Sequence, residues 1–441
     1  MRKNGFKSNI GFILASIGSA VGLGNIWSFP YKLAEGGGLF LIFYLSLAVL
    51  VGIPLLVSEL AIGRSTGLGV VSSYKKISPK LKLLGFLSVI SPCLVMTYYM
   101  VVGGYCIRYF LINIQCIFTN RYEINGTLLF NNLSADIFGT AFFSLCFIAI
   151  TYLIARKGIG SGIEKFNKIA MPLLFLMLTI TMIKSLTSAG EVNGLKTIII
   201  PETKHTLSEV IKEFSSAGEQ MFFSLSIAVG TMVTYGSFMN KKQDIIGSAA
   251  AITFADSAVA LMAGLTIIPA TFSTFSSEGL FGPQLLFVTM QNMFTGGGKS
   301  GAFFGAMFFM LIIIAAVSSA VAFIEVPVSA IEDIGGKDKK KSLRFCCMAV
   351  FVASLVVSVG GLCGRNANII IFIAEGVIIP LTALLFTLYL GWFGGSELII
   401  IETENDKFSA AFRKLFPFIF KFAAPGVIIT VIIGQISNFL L

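Results

Sequence analysis

Eleven stretches of this chain are apolar over about 20 residues each, the length a helix needs to cross the hydrocarbon of a bilayer, and that repetition constrains the fold more than any other feature. They lie at about 10–31, 38–62, 84–113, 138–155, 167–187, 214–239, 246–271, 301–331, 343–362, 368–393 and 415–440. Only helices and closed barrels satisfy their backbone inside lipid, and uninterrupted runs of this length predict helices. Hydrophobic residues make up 56% of the chain and charged residues 12%, where a soluble chain carries about 25% charge. Such a chain cannot cover its own apolar surface in water, so the fold class is an all-α polytopic membrane protein with eleven transmembrane helices. The apolar segment 276–295 is short and holds Gly282-Pro283, which predicts a re-entrant or extracellular loop helix. The basic N-terminus leads into an apolar stretch without a small-residue cleavage site, which predicts a first span that is retained.

A net charge of +10 suggests nucleic acid in a soluble protein. In a membrane protein the same excess collects in cytoplasmic loops. More than two thirds of the 32 Lys and Arg fall on one set of alternating loops, among them Arg2, Lys3 and Lys7, the group from Lys75 to Lys82, and the group from Lys337 to Arg344. The N-terminus is therefore placed in the cytoplasm and the C-terminus outside, in a bacterial inner membrane, with no nucleic-acid partner. The sequons at Asn125 and Asn132 fall in an outside loop and read as chance matches. Most of the seven Cys (Cys93, Cys106, Cys146, Cys346, Cys347) sit inside apolar runs, the usage of small reduced core residues. The single His, His205, leaves no metal site of the usual spacing. The spans carry no nucleophile-and-base pair, so the chain is not read as an enzyme.

The informative places are those where apolar spans are interrupted. In the first, Ala20-Val21-Gly22-Leu23-Gly24-Asn25 puts two Gly and an Asn at mid-membrane depth. In the sixth, Ser224 to Thr231 is rich in Ser, Thr and Gly at a similar depth. Each Gly weakens a helix by about 1 kcal/mol relative to Ala, and unwound backbone survives in lipid only where protein covers it or it lines a cavity. One such stretch is equally explained by close helix packing through small residues. Two, in corresponding spans of two five-helix halves, point to a transporter site. Half-helix N-termini there offer N–H groups to an anion, and freed carbonyls face a cation.

The run Gly18-Ser19-Ala20-Val21-Gly22-Leu23-Gly24-Asn25-Ile26-Trp27-Ser28-Phe29-Pro30 resembles the first-helix signature of the neurotransmitter:sodium symporters. The likeness continues through Gly52-Ile53-Pro54, Glu59, Gly63-Arg64, Gly162-Ile163-Glu164-Lys165, Lys168 to Pro172, Gln220 to Ser226 and Ser318-Ser319, in order along nearly the whole chain. It implies a 5+5 inverted repeat with unwound first and sixth helices. Residues 1–187 would form the first repeat, 188–213 an extracellular loop, 214–393 the second repeat, and 394–441 a cytoplasmic loop with the eleventh span. It implies sodium-coupled import of a neutral amino acid by alternating access, by a monomer able to function alone in lipid. A non-transporting amino-acid sensor of the same fold is the alternative.

The resemblance also implies site residues. One sodium would lie beside the substrate carboxylate, held by Ala20, Asn25, Ser224 and Asp256. The family usually has Asn where Asp256 stands, and Ala260, one turn later, supplies neither the Ser nor the acid found there in relatives. Asp256 would then provide the charge that chloride provides elsewhere, so no chloride is expected. A second sodium would be held by Gly18, Val21, Ala315, Ser318 and Ser319. Substrate would contact Ala20, Gly22, Gly24, Val95, Tyr99, Phe223, Ser224, Ser226, Val229, Ser319 and Phe323. Gly22 stands where monoamine carriers have Asp, which leaves room for an α-carboxylate. The side-chain pocket would hold no fixed charge and suit a large hydrophobic or aromatic amino acid such as tyrosine. At the gates, the family's outer Arg–Asp pair is replaced by Ser28 and, near Ile369, no acid, so outer closure would rest on Tyr99, Phe223 and Ser28. Lys3, Phe6 and Asp333 match the inner gate. Glu59 and Glu325 would belong to buried polar networks.

Overall fold

The computed structural model describes residues 5–122, 124–188, 206–274, 284–336 and 338–440. Lys3, His205, the Gly282-Pro283 turn and residues 189–205 of the expected extracellular loop lie outside them. Among the described residues every regular element is helical, and nine helices are long and apolar enough to cross a membrane. The first of these, Gly24–Thr66, is interrupted at Gly37, whose φ of 54° and ψ of −145° suit only glycine. It therefore covers the second half of the first expected span together with the second span. The remaining half is the short apolar helix Asn9–Ala20. The sixth expected span is not among the nine: it is divided into Leu207–Ser224, which carries Glu209, Lys212, Glu213 and Glu219, and the short helix Thr231–Gly236.

The third and eighth spans run further than their apolar cores predict. Both are 38-residue helices, Lys82–Thr119 and Gly298–Gly335, about 57 Å long at 1.5 Å per residue. Polar residues at their ends leave the apolar window but continue the helix until Asn120 (φ 53°) and Gly336 (φ 58°) turn left-handed and stop it. The fifth span likewise starts before residue 167, with a π-turn at Ile159–Ile163 leading into Glu164–Ser188. Helices three and eight pack on each other along their length and form the centre. The most apolar stretch of the eighth is 78% buried, whereas that of the fourth, Ile137–Ala155, is 28% buried and turns Phe138, Phe142 and Leu153 outward. The fourth span is thus a lipid-facing rim helix. All seven Cys are free thiols.

The two breaks have local causes. Ser8 caps the first helix by accepting the Gly11 amide at 3.0 Å, and the helix ends where Val21 becomes extended (ψ 101°). Helix resumes through a π-turn at Gly24–Ser28, with Pro30 in the first turn of the next segment, where a missing N–H is harmless. The sixth span starts on a Thr206–Glu209 capping box and loses helix after Ser224. Ser226 (φ 53°), Ala228 (φ 65°) and Gly230 (φ 74°) then turn left-handed. Such conformations cost non-glycine residues about 1–3 kcal/mol each and persist only where neighbours impose them. Here Glu59 Oε1 accepts the Ala228 amide at 2.7 Å, and the Ser226 hydroxyl donates to the Ser19 carbonyl at 3.1 Å. The breaks are fastened to each other and to the second span.

Candidate functional site

The two breaks and the seventh helix, Ile245–Thr274, enclose a buried carboxylate. Asp256 accepts from Asn25 Nδ2 at 2.7 Å and 2.9 Å, through its Oδ1 and its backbone carbonyl. Its Oδ2 accepts from the Ser224 hydroxyl at 2.7 Å and the Tyr44 hydroxyl at 3.1 Å. Asn25 Oδ1 accepts the Gly22 amide at 3.1 Å, which is possible only because the helix has opened there. Ala20 is buried at the end of the first helix, and Ala260 is fully buried one turn beyond Asp256. The structure thus brings Asn25, Ser224 and Asp256 together as expected from sequence. It adds Tyr44, and also Gln220, whose Nε2 holds the Gly24 carbonyl at 3.0 Å. A carboxylate, an amide oxygen and a hydroxyl form the donor set a hard cation such as sodium takes.

A second oxygen-rich cluster joins the first and eighth spans. Ser319 Oγ lies 3.2 Å from the Gly18 carbonyl, 3.3 Å from that of Val21 and 3.4 Å from that of Ala315. Ser318 Oγ donates to the Ala315 carbonyl at 2.7 Å. One hydroxyl proton cannot serve three carbonyls, so the cluster has more acceptors than donors, the imbalance a bound cation relieves.

Between the clusters the backbone is held close by missing side chains. A methyl group on Gly22 would fall 2.5 Å from Ser319 Oγ and 2.9 Å from the Tyr99 hydroxyl, and one on Gly24 would fall 2.8 Å from the Phe223 ring. The Tyr99 hydroxyl accepts the Leu23 amide at 3.4 Å, and its ring meets Phe323 edge-on at 5.7 Å. Val95, Ser226, Val229, Ser319 and Phe323 are all buried.

A cavity of about 210 Å³ opens beside this centre. Of the expected pocket residues it is lined by Tyr99 and Phe223, together with Leu23, Trp27 and Ser28. Glu219 and Glu375 also line the cavity, whose only residue from the expected side-chain pocket is Phe223. Glu375, on the tenth span, accepts from the Tyr98 hydroxyl. Glu219 pairs with the buried Lys32 at 3.0 Å. This charge pair stands one helical turn beyond Ser28. Sequence reading missed it because Lys32 falls just past the end of the first expected span and its partner lies 187 positions away in the chain. Removing one partner of a buried pair leaves the other uncompensated. Lys32→Met and Glu219→Gln should each lower the unfolding temperature of the purified protein, and the double variant should recover part of the loss; additive losses would mean the two do not interact.

At the other end, Phe6 packs edge-on against Phe12 and Tyr235, with ring centroids 5.2 Å and 5.6 Å apart. Asp333 accepts the Gly69 amide. Its expected partner Lys3 lies outside the described residues. Glu325 pairs with Lys339, consistent with a role in a polar network.

The chain's likeness to known proteins follows the same lines. The profile of the Sodium:neurotransmitter symporter family matches residues 3–121 and 130–440. An uncharacterized sodium-dependent transporter of Bacillus subtilis, YhdH, is 32% identical over 98% of this chain and 97% of its own length. The rat sodium-dependent neutral amino acid transporter B(0)AT3 is 32% identical over 58% of this chain and 46% of its own. Among solved structures, that of MhsT in complex with L-phenylalanine superposes with a TM-score of 0.88 at 31% identity, covering 98% of this chain and all of MhsT.

Proposed function

The chain belongs to the sodium:neurotransmitter symporter family, transporters and not enzymes, and on that premise we propose that it imports a neutral, large hydrophobic or aromatic amino acid with sodium, independently of chloride. The observation that carries this reading is the open backbone at Gly22, walled by Tyr99 and Ser319 and flanked by two oxygen-rich clusters. A substrate α-carboxylate placed there would meet the Tyr99 hydroxyl and the freed amides of the first break. Ala20, Asn25, Ser224 and Asp256 would hold one sodium, and Gly18, Val21, Ala315, Ser318 and Ser319 the other. Phe223, Val95, Ser226, Val229, Ser319 and Phe323 would receive the side chain. The complex of MhsT with L-phenylalanine and the neutral-amino-acid name of the rat relative support that substrate class.

Residues 1–187 and 214–393 would act as the two inverted repeats in a bacterial inner membrane, N-terminus inside and C-terminus outside. Spans one, two, six and seven would rock against three, four, eight and nine around the centre. Two sodium ions entering down about 100 mV and a tenfold gradient supply roughly 7 kcal/mol, enough for accumulation of about 10⁵-fold.

Purified protein in proteoliposomes should accumulate radiolabelled tyrosine under an inward sodium gradient and not a potassium gradient, with gluconate replacing all chloride. Unlabelled amino acids as competitors would rank the substrates. Strict dependence on chloride would sink the charge assignment to Asp256, and sodium-dependent binding without accumulation would make the protein a sensor.

A further inference from the structure

Beside the Gly18–Ser319 cluster stands a buried oxygen that nothing in the fold explains. Asn167 lies in the first turns of the helix Glu164–Ser188 and is wholly buried. Its Nδ2 donates to the Ile163 carbonyl four residues back at 3.0 Å, which fixes the orientation of the amide and turns Oδ1 away from its own helix. Oδ1 has no hydrogen-bond partner among the described residues. Its direction is given by Gly18: a methyl group there would fall 2.1 Å from Asn167 Oδ1 and 3.1 Å from the Ser318 Cβ. The oxygen therefore presses on the first span at the residue whose carbonyl Ser319 reaches, and next to the residue that donates to Ala315.

This register is held firmly. Three residues earlier, Glu164 accepts from the Lys7 amide at 2.6 Å and the Ser8 hydroxyl at 2.9 Å, pinning the start of the fifth span to the start of the first. A buried carbonyl without a donor is costly, and apolar residues of similar size would fill the space without that cost. The neighbouring cluster already holds more acceptors than protons, so it has no hydroxyl to spare for this oxygen.

We propose that Asn167 Oδ1 is a further ligand of the second sodium, which would then be held by spans one, five and eight together. This rests on the sodium reading of the Gly18–Ser319 cluster. With five oxygens from that cluster, Asn167 would complete the six that hard cations commonly take.

Equilibrium binding of radiolabelled sodium to the purified full-length protein tests it, with Ser319→Ala as the reference. Asn167→Leu should raise the sodium concentration for half-maximal binding by about tenfold, the ordinary cost of losing a metal-site partner. Asn167→Asp, which keeps an oxygen in place, should bind sodium at least as tightly as the wild type, and it carries the test if the Leu variant does not fold. An Asn167→Leu isotherm that superimposes on the wild type while Ser319→Ala is shifted would overturn the proposal. So would an Asp variant that loses sodium. If Ser319→Ala also leaves binding unchanged, the sodium reading of the whole cluster falls, and this proposal with it.

Discussion

Asp256→Ala should be inactive in sodium-driven uptake without chloride and should regain a measurable part of that uptake when chloride is added. The carboxylate is ringed by three donors, the Asn25 amide and the Ser224 and Tyr44 hydroxyls, all within 3.1 Å. Removing it leaves those donors around an apolar hole and would leave the sodium proposed beside it without its counter-charge. Loss of one partner from a buried charge arrangement ordinarily costs about 3–5 kcal/mol, so uptake should fall by at least about a hundredfold. An anion that accepts hydrogen bonds and fits the vacated space restores both the charge and the donors' partners. Asp256→Asn separates these contributions. Its amide fills the hole and can bond the same hydroxyls, which are able to accept as well as donate, yet it brings no charge. It should therefore be as inactive as the Ala variant and deaf to chloride. A wild-type rate in Asp256→Asn would mean that shape, not charge, is what Asp256 supplies.

How far the site could be read from sequence depends on whether a residue announces itself within its own span. Gly22, Gly24 and Asn25 do, because glycines and an amide at mid-membrane depth are expensive unless the backbone has a use for them. Ser224 and Ser226 stand out in the same way, and Ser318-Ser319 and Asp256 became legible through the likeness of their surroundings to a known pattern. Tyr44 and Asn167 do not announce themselves, and Gln220 is legible only as part of a motif, without its role. Each is one polar group on an otherwise ordinary helix, and its significance appears only when a partner 149 to 212 positions away in the chain comes into register. Lys32, Glu219 and Glu375 failed for the same reason: they lie on three different helices far apart in the chain, and nothing local says that they meet. The helix ends were misjudged where capping and not hydropathy decides them, as at Asn120 and Gly336. Apolar length locates a span in the bilayer, but the rotation of one span against another is set by packing between distant residues.

The second large effect should come from the smallest side chain in the site. Gly22→Val should abolish amino-acid uptake in a protein that still folds, and Gly22→Ala should lower it by at least about tenfold. At 2.5 Å from Ser319 Oγ and 2.9 Å from the Tyr99 hydroxyl, an added Cβ lies closer to both than real Cβ atoms come to such neighbours. Ser319 cannot retreat without leaving the three carbonyls around it. Tyr99 cannot retreat without releasing the Leu23 amide and pressing its ring on Phe323. Whichever gives way, either the proposed second sodium site or the proposed carboxylate face is lost, so the Ala variant should also need more sodium for half-maximal uptake. Gly426, in the last span, provides the control, since a methyl group there meets nothing within 4 Å. Gly426→Ala should leave uptake unchanged and favour its helix by up to about 1 kcal/mol. Should Gly22→Val transport like the wild type, the substrate carboxylate does not sit at the first break, and the assignment of an amino acid to this site loses its geometric basis.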